Sequence, residues 1–216
     1  TLSEAGKNLQ ITERFGVNTL GVENKGNVAV FLRAGEMLAG GTQERAVVSS
    51  QIVEVGEARK LEVVCIHQSR PLVSGATFRH VGYTPRQFYG HLYMARFHKG
   101  APVGMQQTVW SSVHNYTSSM ASRFSPVGNV RAAFNAVPRD DLVEATRVFS
   151  TAIYDIINKV PRLEHQVGLA TIGLEGLIAF ECYDLHQSWS AIREAAIKQQ
   201  GEDLSKVMDD ADQVFQ

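Results

Sequence analysis

Two segments concentrate polar side chains able to do chemistry within otherwise apolar surroundings: Leu32-Arg33-Ala34-Gly35-Glu36-Met37-Leu38-Ala39-Gly40-Gly41-Thr42-Gln43-Glu44-Arg45 and Cys65-Ile66-His67-Gln68-Ser69-Arg70. A two-residue hairpin turn at Gly40-Gly41 sets Ala39 against Thr42, Leu38 against Gln43 and Glu36 across from Arg45. Period-two alternation then puts Glu36, Leu38, Gln43 and Arg45 on one face and Met37 and Glu44 on the other. A guanidinium fork beside a carboxamide and a carboxylate can hold a phosphate or carboxylate, hydrogen-bond a sugar or base, and keep Glu36 for general-base work. The competing use of the same residues is a solvated cross-strand ion pair worth about 0.2–1 kcal/mol.

His67-Gln68-Ser69-Arg70 ends an apolar strand, where a sheet hands its chain to a surface loop and sites often form. There His67 can supply a proton near neutral pH and Arg70 a second anion contact, although a strand-end histidine is as readily a hydrogen-bonded structural one. Glu181 follows Ile178-Ala179-Phe180 in a strand of little polar character, and a buried carboxylate needs a partner. Arg45 or Arg70 can oppose it in a structural ion pair, or it can act with Glu36 as a carboxylate pair.

The elements that must carry these groups follow from the apolar pattern. Residues 11–70 alternate and are β-rich, with strands read at 19–24, 27–32, 46–48, 51–55 and 61–66 and turn chemistry at Asn24-Lys25-Gly26-Asn27, Gly40-Gly41 and Gly56-Glu57. Several strands are apolar on both faces, so they belong inside a sandwich or covered sheet. A helical insertion is expected over 84–160. In it Val103, Gln106, Trp110, Val113, Thr117, Met120 and Phe124 share one stripe, and a second helix runs from Arg139-Asp140-Asp141 to Val160, ahead of Pro161. These helices are expected to cover one face of the sheet, their stripes serving as core. A hairpin spans 166–183, and C-terminal helices over 186–215 are expected to break at Gly201. No repeat or linker divides the chain, which is read as a single domain over 1–216. The fold class is α+β: an antiparallel β-sandwich-like core with inserted helices and a helical C-terminus.

Composition bounds the function. With 216 residues, 44% of them hydrophobic, the chain is long enough to bury a sizeable core, and a net charge of -1 without a basic, aromatic-laced run argues against nucleic acid as partner. No apolar run approaches the roughly 20 residues that span a bilayer, so no membrane partner is expected. Cys65 and Cys182 lie in apolar runs and are read as buried hydrophobes, with a bridge between them left open. Two cysteines and the absence of a signal-like start at Thr1-Leu2-Ser3-Glu4-Ala5 point to the cytoplasm; the missing initial methionine leaves open a preceding leader. Dinucleotide-binding, P-loop and nucleophile-elbow glycine motifs are absent, as is H-E-x-x-H, and His91 and His98 stand two helical turns apart, too far to chelate one ion. No cofactor and no metal site is expected. The apolar face of the last helix, Leu204, Val207, Met208, Ala211, Val214 and Phe215, must dock on its own domain or on another copy, so self-association is expected.

The compound pattern resembles the ADP-ribosylglycohydrolase- and rhodanese-phosphatase-associated protein domain family. The likeness begins at Val22-Glu23-Asn24-Lys25-Gly26 and is densest from Ala34 to Arg45. It continues at Val64 to Arg70, at Gln106 with Val109-Trp110, and from Gln166-Val167-Gly168 through Phe180-Glu181-Cys182-Tyr183-Asp184. Where the family commonly has a glutamate before the glutamine of its Glu-Gln-x-Arg segment this chain has His67, and Pro71 replaces the tryptophan that often follows the arginine. If that glutamate is catalytic in the family, this member is altered. The resemblance implies, by association, an NAD-derived or nucleotide-like small-molecule ligand. It also implies Glu36, Gln43, Arg45, Gln68 and Arg70 as site residues, with Gln106 and Glu181 beside them. The expected function is recognition of a phosphorylated ribose or nucleotide metabolite, with hydrolysis as a further capability. In that reading Arg45 and Arg70 hold the anion, and Gln43 and Gln68 orient the sugar or base. Glu36, Glu181 and His67 supply the catalytic groups. The rival is a non-enzymatic subunit that assembles into a homo-oligomer or filament.

Overall fold

The computed structural model describes residues 1–13, 18–68, 77–97, 102–123, 133, 135–152, 158–173 and 176–214. They fall into two compact units, Thr1–Thr146 and Arg147–Gln216. No described helix is long and apolar enough to cross a membrane.

The first unit opens with the short helix α1 (Leu2–Ala5) and is built on a six-stranded antiparallel sheet. In chain order its strands are β1 (Leu9–Thr12), β2 (Thr19–Asn24), β4 (Glu36–Ala39), β5 (Arg45–Val47), β7 (Ala58–Cys65) and β8 (Arg79–Tyr83), and in space they run β1-β2-β7-β5-β4-β8. A two-stranded ribbon of β3 (Val30–Leu32) and β6 (Gln51–Val53) packs with one face of the sheet. The core between them holds Leu9, Ile11, Leu20, Val22, Leu38, Val47, Leu61 and Val63 from the sheet and Val30, Leu32 and Val53 from the ribbon. Full burial of each Val, Leu or Ile contributes about 1.5–3 kcal/mol, so this cluster outweighs any ion pair nearby. Asn24, fully buried, ties the ribbon down by donating from Nδ2 to the carbonyls of Val28 and Val53.

Alternation turns Met37, Ala46 and Val64 the other way, and they too are buried. Helices α2 (Tyr89–Phe97) and α3 (Pro102–Arg123) pack against β7. Most of the α3 stripe read from sequence is buried: Gln106, Val113, Thr117 and Met120, joined by Val109 and Tyr116; Trp110 is half-buried, and the Val103 side chain and Phe124 lie outside what is described. Helix α4 (Leu142–Ala152) realises the start of the second expected helix, with Asp141 Oδ1 accepting from the Glu144 amide at its first turn. Ile153, Ile156 and Ile157 of that expected stripe lie outside the described residues, and its last member, Val160, is half-buried.

The second unit holds the hairpin of β9 (Gly168–Gly173) and β10 (Gly176–Cys182) with α5 (His186–Val214) packed on both strands through buried Ala179, Trp189, Ile192 and Ala196. The α+β class, the inserted helices and the helical C-terminus are thus as expected.

Three details correct the sequence reading. The expected break at Gly201 does not occur. An interior glycine costs a helix about 1 kcal/mol relative to alanine, and α5 runs through it with Gln199 and Gln200 buried on the preceding turn. Cys182 is exposed rather than buried, because β10 has one face open; Cys65 is buried, and neither is in a disulfide. The Gly40-Gly41 turn is not a two-residue loop. The partner of Leu38 is Arg45 rather than the expected Gln43, and Met37 pairs with Ala46. Residues 40–44 form the connection, with Gly40 at φ 137° and Gly41 at φ 56°. A shift of two residues preserves the faces, so Glu36 and Arg45 share a side without standing opposite each other.

Candidate functional site

Glu36 opens β4 and is almost fully buried, at 1% exposure. Its carboxylate is held from two directions: Oε2 accepts the Arg33 amide at 3.2 Å, and Oε1 stands 2.8 Å from Nδ1 of His80. A register irregularity makes this possible, since Glu36 pairs with Tyr83 and Leu38 with His80, so β8 carries one extra residue and brings both rings to the Glu36 side. The rings of His80 and Tyr83 meet edge to face at 5.1 Å, and the Arg33 guanidinium lies 5.1 Å from the Tyr83 ring centroid. An ionised carboxylate can only accept, so His80 Nδ1 is the donor to it in this contact. Of the two, His80 is the more accessible, with a side chain 23% exposed against 1% for Glu36.

Arg45 is buried, and its guanidinium is spent largely on the loop before it. It donates to Gln43 Oε1 at 3.2 Å, to the Glu44 carbonyl at 3.4 Å and to Glu13 Oε1 at 3.3 Å. Glu13 Oε1 also accepts from the Thr42 amide and hydroxyl, at 3.1 and 2.6 Å. Burial lowers the Arg45 pKa, opposed by the neighbouring Cys65 and Glu13, and burial raises the Cys65 thiol. The Nε of Arg45 is buried with no hydrogen-bond partner among the described residues. The expected Glu36–Arg45 pair is replaced by two separate pairs, Glu36–His80 and Arg45–Glu13, because the longer loop moves Arg45 along its strand.

His67 lies just past β7. Its Nδ1 is 3.4 Å from Glu44 Oε2 and its Nε2 is 3.9 Å from Asp140 Oδ2. Contact with the Glu44 carboxylate raises the His67 pKa against desolvation by burial, with Asp141 and Asp140 adding smaller pulls in the same direction. Burial raises the Asp141 carboxyl, partly offset by the Glu144 amide it accepts.

Gln106 is committed to the backbone. The Cys65 amide donates to its Oε1 at 3.1 Å and its Nε2 donates to the Cys65 carbonyl at 2.7 Å, standing in for a strand where the β2 pairing with β7 has ended at Glu62. Gln68 is exposed at the strand end, and Arg70 lies outside the described residues. Glu181 belongs to the second unit, where its Oε1 accepts the Tyr183 hydroxyl at 2.6 Å. The structure thus gathers Gln43, Arg45 and His67 around the β5 and β7 ends. Glu13 joins Arg45 there, Glu44, Asp140 and Asp141 join His67, and His80 pairs separately with Glu36; sequence reasoning placed none of these five in a site. Glu44 was assigned away by alternation from a shorter loop, and the two aspartates read as ordinary acidic residues at a helix start.

An antiparallel sheet between a ribbon and helices, with polar clusters at its strand ends, defines an α+β protein. The chain belongs to the ARG and Rhodanese-Phosphatase-superfamily-associated Protein domain family, whose model matches residues 1–210. No curated protein and no solved structure matches it.

Proposed function

We propose that this protein recognises a phosphorylated ribose or nucleotide-like metabolite at the cluster of Gln43, Arg45, His67 and Gln68. The observation that carries the reading is the buried Arg45 Nε, a cationic donor with no hydrogen-bond partner among the described residues. Leaving such a donor unmade costs about 1–3 kcal/mol, and an anionic oxygen supplies what it lacks. The family description, tied to ARG proteins and to the rhodanese-phosphatase superfamily, supports a phosphate- or ADP-ribose-related context. Hydrolysis, where it follows recognition, falls to His80, with Glu36 holding its tautomer as orienting carboxylates do for catalytic histidines.

The test is a thermal-shift panel of ADP-ribose, ribose 5-phosphate, NAD and AMP on wild type, Gln43→Ala and Gln68→Ala. A ligand at 100 times its dissociation constant stabilises the native state by about 2.7 kcal/mol. The expected result is a wild-type shift that shrinks in both variants. No shift with any of the four overturns the reading.

The second reading, a self-assembling subunit, is favoured by the exposed face of the β9–β10 hairpin. Ile172 pairs with Leu177 and Phe180 with Ala170, and Ile172, Leu177 and Phe180 are all more than half exposed. An apolar sheet face of this kind suits a second copy of the chain. Light scattering on wild type and on Leu177→Asp decides it: a wild-type oligomer that dissociates in the variant supports assembly, and a monomeric wild type rules it out.

A further inference from the structure

We propose that Glu44, His67 and Asp141 form a binding site for one divalent transition-metal ion, of the zinc or manganese kind. The three residues come from separate places in the first unit: the end of the β4–β5 connection, the residues just past β7 and the residue before α4. One ligand atom from each lies within 4.8 Å of the others.

The spacing is looser than that of a close ion pair. A charge-assisted hydrogen bond between an imidazolium and a carboxylate settles at about 2.7–2.9 Å. Glu44 Oε2 and His67 Nδ1 stand 3.4 Å apart, and Nδ1 is buried without a hydrogen bond among the described residues. Two ligands of a tetrahedral ion with bonds of about 2.0–2.2 Å are themselves separated by about 3.4 Å. His67 Nδ1 and Glu44 therefore stand apart by the edge of a coordination tetrahedron.

The ligands are also held in place before any ion arrives. The Ile66 amide donates to the Glu44 carbonyl at 3.1 Å, fixing the Glu44 backbone against the strand end that carries His67. Asp141 uses Oδ1 to accept the Glu144 amide at 2.8 Å, and its own amide donates to the Pro138 carbonyl. On the far side of the His67 ring, Asp140 Oδ2 lies 3.9 Å from Nε2, where a metal-bound histidine commonly has an outer carboxylate. One imidazole nitrogen with two carboxylates suits a first-row transition ion better than calcium or magnesium, which prefer oxygen alone. The three positions are far apart along the chain, which is why no ligand-spacing motif announces them.

The experiment is a calorimetric titration of the chelator-treated full chain with zinc chloride and with manganese chloride. The expected result is one equivalent bound with either ion or both. Asp140→Asn should weaken it about 10-fold, the lower end for an outer partner, and His67→Ala or Glu44→Gln should weaken it further. Cys182→Ser and His165→Ala remove exposed groups that bind zinc adventitiously, and the equivalent should survive both. Cobalt substitution gives a second readout: a visible ligand-field spectrum without thiolate charge transfer, absent from His67→Ala. Far-UV circular dichroism checks each fold, and His67→Gln replaces His67→Ala if the alanine variant unfolds. No stoichiometric binding by wild type overturns the proposal, as does binding that His67 and Glu44 variants leave unchanged. Because the titration uses metal alone, it can succeed or fail independently of the nucleotide reading.

Discussion

His80 Nδ1 stands 2.8 Å from Oε1 of Glu36, which joins the start of β4 to the edge strand β8 beside it through a buried carboxylate. In the proposed reading Glu36 is the orienting group and His80 the group that exchanges a proton. His80→Ala leaves that carboxylate buried without its imidazole. We predict a loss of about 1–3 kcal/mol, the cost of an unmade buried hydrogen bond. Glu36→Gln should lose less, since the amide oxygen can still accept the Arg33 N–H and its NH2 can donate to the imidazole after a tautomer change. Urea denaturation of the two variants checks the order, and equal losses would count against it.

Glu13 serves Thr42 twice and Arg45 once, so it locks the β4–β5 connection to the strand end before it. Glu13→Ala should destabilise by about 1–3 kcal/mol. That is below the roughly 3–5 kcal/mol of breaking a fully buried pair, because the Glu13 side chain is 26% exposed. A double-mutant cycle with Thr42→Val should show coupling of at least about 0.5 kcal/mol. Additive losses would mean that the Thr42 contacts carry no stability.

The Gln106 carboxamide satisfies both backbone groups of Cys65. Gln106→Leu keeps the size and removes both bonds, so amide exchange at Cys65 should accelerate and stability fall by about 2–4 kcal/mol, two unmade buried groups at the lower part of their range. Unchanged exchange at Cys65 in the variant would show that the strand end needs no such partner.

What could be read from sequence follows the range of the forces involved. Alternation and helical stripes are local, so the strand 19–24, most of β7 (read as 61–66), the hairpin read over 166–183 and most of the buried face of α3 were legible. Glu36, Gln43, Arg45 and His67 stood out because they are polar among apolar neighbours. Their pairing was not legible, because it depends on how Gly40 and Gly41 extend a loop and on Glu13 reaching across to it. His80 was missed for a related reason: β8 is short, partly exposed and carries an irregularity, so period two fades there. Gly201 misled because a glycine's local cost is smaller than the packing that carries α5 past it.

Gly41 and Gly56 offer a matched test of the loop. Both sit in the left-handed region, at φ 56° and φ 75°, so alanine at either meets a backbone penalty of about 1–2 kcal/mol. Around Gly56 an added Cβ meets nothing within 4 Å, whereas at Gly41 it would lie 2.6 Å from Phe78 Cζ and 2.8 Å from Glu13 Cδ. Phe78 belongs to the core and Glu13 to the lock on Thr42 and Arg45, so neither can give way without cost. Gly41→Ala should therefore destabilise by more than Gly56→Ala, by about 1–3 kcal/mol, the range for overpacking. If the loop positions Gln43 and Arg45 for a ligand, the same variant should also lose the thermal shift that Gly56→Ala retains. Equal destabilisation by the two substitutions would mean that Phe78 and Glu13 move aside freely and that the loop is not held as described.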